Sequence, residues 1–102
     1  MERGLYNITS ATTTTLIDKL EARGAINSIS ISNNNENNLV FVSLYLDDGT
    51  NQVYFFKKNL LYPGVVKFLN EGISFNNNAL ALKLKTEVNF TSHSVNVSVI
   101  IK

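Results

Sequence analysis

Val95, Val97, Val99 and Ile101 occupy every second position near the C-terminus, with Asn96 and Ser98 between them. Side chains that return to one side every two residues belong to a β-strand, so this segment is committed to a strand with one face in a core. The pattern constrains the fold because it recurs. In residues 79–85, Leu80, Leu82 and Leu84 point one way, and Ala79, Ala81, Lys83 and Lys85 the other. Ile29 and Ile31 alternate with Ser28, Ser30 and Ser32. Each segment predicts a half-buried strand.

Two further segments are apolar on both sides. In residues 39–46, Val40, Val42, Leu44 and Leu46 oppose Leu39, Phe41 and Tyr45; in residues 52–56, Val53 and Phe55 oppose Tyr54 and Phe56. A strand covered on both sides lies between layers or at a subunit contact. At 102 residues the chain has room for one domain and rarely for three layers. Phe41, Tyr45, Tyr54 and Phe56 are therefore expected to line an interface between copies.

The punctuation between these runs fits an antiparallel meander. Asp47-Asp48-Gly49-Thr50 should turn the two aromatic strands into a hairpin, and Pro63-Gly64 marks another turn. Asn33-Asn34-Asn35, Asn37-Asn38 and Asn76-Asn77-Asn78 read as loops, because asparagine tolerates left-handed backbone and bonds its own main chain. A compositional bias settling in loops accounts for their number. Short strands at this spacing predict a single antiparallel β-sandwich, jelly-roll-like, or a small β-barrel, of about seven or eight strands over residues 1–102. The one ambiguous stretch is residues 16–23, where Leu16, Ile17 and Leu20 have helical spacing. A strand through Ile17 followed by a loop or one short helical turn is expected there.

Little in the chain can do chemistry. There is no cysteine, so disulfides, thiolate nucleophiles and cysteine-based zinc sites are excluded. The one histidine, His93, sits in a polar loop and lacks neighbours for a catalytic or zinc set. Residues 47–51, DDGTN, carry oxygen ligands beside a glycine but lack the spacing and distal glutamate of a calcium loop, and a hairpin turn explains them. The three Asn-X-Ser/Thr sites, at Asn7, Asn89 and Asn96, follow from composition. No catalytic residue, metal or cofactor is expected, and the chain reads as a non-enzyme.

The net charge of +1 gives no global attraction to nucleic acid or anionic membrane. Lys57 and Lys58 beside Tyr54, Phe55 and Phe56, with Lys83 and Lys85 on one strand face, form the local alternative for nucleic acid. They also suit solvent-facing or edge positions, where lysine deters aggregation. No apolar run approaches a membrane span, and the first residues lack the apolar stretch of a signal peptide. Synthesis in a cytoplasm is the default expectation.

Residues 8–17 (ITSATTTTLI), 24–33 (GAINSISISN), 42–49 (VSLYLDDG), 54–57 (YFFK), 62–65 (YPGV), 72–75 (GISF) and 95–102 follow one another in an order that resembles the small β-sandwich virion proteins of tailed phages, especially of marine bacteria. The resemblance spans nearly the whole chain and lies in strands and turns, with no catalytic signature. It implies a structural role in a virion, as a decoration, fibre-associated or neck and tail component built by symmetry, whose partners are copies of itself or other virion proteins. It transfers no functional residue. The charged stretch from Asp18 to Arg23 departs from it, since a Gly- or Pro-rich turn is usual there. A helix in that place would resemble the Sm-like arrangement, which forms rings and binds RNA, although its late Arg-Gly dipeptide is missing. A carbohydrate-binding sandwich is the third reading, with Tyr62 and Tyr6 as its hints.

Overall fold

The computed structural model describes residues 4–20, 25–70, 73–88 and 94–102. They form ten strands: β1 (Gly4–Ile8), β2 (Thr13–Ile17), β3 (Ala25–Ile26), β4 (Ile29–Asn33), β5 (Val40–Asp47), β6 (Gln52–Leu61), β7 (Val66–Leu69), β8 (Ile73–Ser74), β9 (Ala81–Glu87) and β10 (Val97–Ile101). Eight of them make two four-stranded sheets, ordered β1-β10-β4-β7 and β2-β9-β5-β6, while β3 and β8 pair separately. All the pairings are antiparallel.

Along the chain the eight strands mostly cross from one sheet to the other, and β5–β6 is the one hairpin of successive strands within a sheet. This is the jelly-roll arrangement of a two-sheet sandwich. The sheets do not join into a closed barrel, so the small-barrel alternative is not the fold. No helix occurs among the described residues. After Ile17 ends β2, Lys19 and Leu20 form a turn with Leu20 at φ 70°; residues 21–24 of the charged stretch lie outside the described residues.

The alternating residues fill the space between the sheets. Ile29 and Ile31 of β4 and Val97, Val99 and Ile101 of β10 face Val40, Val42 and Leu44 of β5 and Leu82 and Leu84 of β9, all buried. An irregularity in the β2–β9 register between Thr15 and Ile17 lets the adjacent Leu16 and Ile17 both enter the core. Burying a Leu, Ile or Val side chain contributes roughly 1.5–3 kcal/mol, so this layer is the main source of stability.

Two asparagines are structural and not merely loop filler. Asn33 is the next inward position after Ile29 and Ile31 and is 1% exposed. Its Nδ2 donates to the carbonyls of Asn38 and Leu61, both at 2.9 Å, and its Oδ1 accepts from the Asn35 N–H at 3.0 Å. Its backbone carbonyl also accepts from Gly64 N–H at 2.8 Å. One side chain thus ties β4 to the loop after it and to the end of β6. Asn77 is also buried and donates to the carbonyls of Asp18 and Leu80, fastening the turn after β2 to the loop before β9.

Candidate interaction surfaces

The outer face of the β2-β9-β5-β6 sheet carries most of the residues singled out from sequence. Tyr45 and Tyr54 are cross-strand partners whose rings stack at 5.0 Å, tilted by 40°. The Tyr54 hydroxyl donates to Gln52 Oε1 at 2.9 Å, and the Lys57 ammonium lies 5.0 Å from the Tyr54 ring centre. Tyr45 is only 4% exposed, because Tyr54 on one side and Lys83 on the other cover it. Phe41, half-buried, sits farther along the same face between Leu60 and Glu87.

Phe56 is placed differently. It pairs with the inward Leu44, packs against the core and lies under the Lys67 ammonium, 4.8 Å from its ring centre. The reason is a bulge. Between the pairs Leu44↔Phe56 and Tyr45↔Tyr54, β6 spends one extra residue, Phe55, which stands 43% exposed. Tyr54 and Phe56, two residues apart, therefore face opposite sides. A second bulge at Lys57 and Lys58 holds Lys58 at φ 50°, with its N–H donating to the buried Ser43 hydroxyl at 2.9 Å.

The four lysines gather on this one sheet. Lys83 and Lys85 of β9 flank β5, and Lys57 and Lys58 lie beyond it on β6. Carboxylates temper them: Lys83 bonds Asp47 at 2.8 Å, and Lys85 lies 3.9 Å from Glu87. The Lys83 contact, with the Gly49 N–H, holds the Asp47 carboxyl below its ordinary pKa and raises that of Lys83.

Asp48 is held low in the same sense by the backbone N–H groups of Asn51 and Thr50, at 2.6 and 2.8 Å. The oxygens of the DDGTN loop are thus employed in closing the hairpin. No group of three or more metal-ligating side chains occurs among the described residues. His93 and the Asn89 site lie outside the described residues. Of the two tyrosines considered for sugar stacking, Tyr62 is exposed, but Tyr6 is half-buried with its hydroxyl donating to the Leu16 carbonyl.

The opposite outer face, of β1-β10-β4-β7, has a different chemistry that sequence reasoning missed. Its outward positions are Leu5, Asn7, Ser98, Ile100, Ser30, Ser32, Val66 and Phe68, without a single charge. Leu5, Val66 and Phe68 are more than half exposed. The signal was present: the polar phase of β4 and β10 is Ser and Asn, where a solvated strand commonly carries Lys or Glu. More widely, Val53, Phe55, Leu60, Tyr62, Val65, Val66 and Phe68 place most of the exposed large apolar residues on β6, β7 and the turn between them.

Comparison with protein-family models finds no match, and comparison with curated proteins finds none either. Among solved structures, the crystal structure of a Yersinia pseudotuberculosis-derived mitogen is similar, with a TM-score of 0.57 and 14% identity over 97% of this chain and 83% of that one. The likeness is one of fold. An infectious bursal disease virus structure is a weaker match, at TM-score 0.39 and 15% identity, covering 99% of this chain and 27% of that one. A second structure, of an IBDV particle, scores 0.41 with 16% identity, over 99% of this chain and 25% of that one.

Proposed function

We propose that this chain is a non-enzymatic structural protein that works by contact with other subunits, as a component of a phage virion. The observation that carries the reading is the row of exposed apolar side chains Val53, Phe55 and Leu60 along β6, at the edge of the sheet that holds the aromatic residues. Large apolar groups collected in one region mark contact surfaces. The contact proposed from the aromatic strands belongs to this region: Phe41 and Tyr54 present their outer edges, Tyr45 supports Tyr54 from beneath, and Phe56 holds β6 against the core. The order of strands and turns that resembles tailed-phage sandwich proteins supports the virion assignment.

Replacing Phe41 and Tyr54 with serine is expected to lower the oligomeric mass measured by sedimentation while the far-ultraviolet β signature persists. If both variants keep the parental mass, the aromatic contact is wrong. Mass spectrometry of purified virions from the producing phage tests the virion assignment, and absence of the chain from particles sinks it.

A second reading is favoured by one observation, the four lysines brought to one sheet beside Tyr54. It predicts binding to single-stranded RNA that falls steeply with salt. Silence at about 50 mM salt removes it, since that is where phosphate contacts are strong.

A further inference from the structure

We propose that the uncharged outer face of the β1-β10-β4-β7 sheet is a second contact surface, and that its occupant is the same face of another copy of this chain. It is distinct from the aromatic contact on the other sheet.

The argument begins with charge. Eight outward side chains on four neighbouring strands include no Lys, Arg, Asp or Glu, whereas the opposite sheet carries both of the ion pairs seen among the described residues. A partner with charges at the contact would bury them unpaired, which is costly. The surface that fits is itself uncharged, and this face meets that requirement.

Shape adds a second element. Leu5, Ile100, Ser30 and Phe68 form one cross-sheet row, each the register partner of the next. At one end of the row, Leu5, Tyr6, Asn7, Ser98, Val99 and Ile100 line a shallow open depression of about 390 Å³. At the other end Phe68 projects, 54% exposed. A two-fold axis parallel to the strands lays β1 over the partner copy's β7, so Phe68 of each copy enters the depression beside Leu5 and Ile100 of the other. Apolar ends meet apolar ends, and the serine-lined centre meets itself. A two-fold contact of this kind is closed.

Size sets the strength of the contact. The four strands of this face have four or five residues each, so at about 3.3 Å per residue and about 4.8 Å between strands they cover roughly 17 × 19 Å. That is below the roughly 800 Å² per partner of a standard interface and fits a weak, reversible contact.

The chain has no cysteine, which makes the test clean. Leu5→Cys and Phe68→Cys variants, mixed in equal amounts under mild oxidation, are expected to give mainly the mixed Leu5–Phe68 disulfide dimer. Self-linked dimers equal to or above the mixed product would overturn the geometry. Separately, Ser30→Glu places a charge at the centre of the face and is expected to weaken self-association by about tenfold or more, through two buried unpaired charges. Sedimentation reads this against Phe41→Ser, which alters only the other sheet. Unchanged association of a folded Ser30→Glu variant, or a parent monomeric up to about 1 mM, would refute the second surface. A Ser30→Glu effect with an unaffected Phe41→Ser variant would uphold it while the aromatic contact fails.

Discussion

Asn33 shows how far one side chain can be read. The run Asn33-Asn34-Asn35 reads as a loop, whereas Asn33 continues the inward phase that Ile29 and Ile31 set in β4 and is buried. Its partners were not legible either, because the Leu61 carbonyl comes from the far end of β6 and the Asn38 carbonyl through the fold of the loop before β5. Asn33→Leu keeps much of the volume but leaves the buried Leu61 carbonyl, the half-buried Asn38 carbonyl and the Asn35 N–H without that partner. The expected cost is about 2–4 kcal/mol, read as a lower denaturant midpoint. A loss below about 0.5 kcal/mol, the size of an ordinary surface change, would show that water replaces the amide at no cost. Asp47 and Asp48 supply a pH response. Both have folded pKa values depressed by bonds that the unfolded chain lacks, so their contribution is present above the ordinary carboxylate pKa of about 4 and is lost as pH falls through the lower folded values. Amide exchange at Gly49, Thr50 and Asn51 should accelerate relative to the strands over that acidic window. Uniform protection would contradict it.

At the scale of the element, β6 explains most of what the sequence concealed. Period-two reading ended the strand at Phe56, whereas β6 runs to Leu61. Each of its two bulges moves the inward phase by one residue, so no single alternation spans it. Apolar residues on both faces of 52–56 were therefore the trace of a bulge as much as of a second buried surface. The straight strands β4 and β10 were legible because no bulge interrupts them. Lys58 pins the second bulge in left-handed backbone, where a β-branched residue fits poorly. Lys58→Val is expected to cost about 1–2 kcal/mol, while Lys58→Gly, free of the steric conflict, stays within about 1 kcal/mol of the parent. Equal effects of the two in thermal or denaturant unfolding would mean the bulge relaxes.

Over the whole molecule, the sandwich was legible and its two unlike outer surfaces were not. Alternation tells which residues face inward, but the identity of the surface each outward residue joins depends on which strands become neighbours. Ser30 of β4 and Ile100 of β10 are far apart in the chain and adjacent in the sheet. Lys57 and Lys83 likewise join one face only because β5 lies between their strands. Charge was segregated by topology, with the ion pairs on one sheet and Ser, Asn and apolar groups outside the other.

The pairing of β1 with β10 brings Gly4 opposite Ile101. In space the path from residue 4 to residue 101 is nearly a closed loop, and the order in which it is traversed is separable from the architecture. A few flexible residues joining that gap, with the chain reopened between Gly49 and Thr50 at the exposed hairpin tip, should give a permuted protein with the same two sheets. Its circular dichroism should match the parent's, with some loss of stability from the opened hairpin. An unfolded permutant would instead mean that the β5–β6 hairpin must form as one continuous piece for the rest to assemble around it.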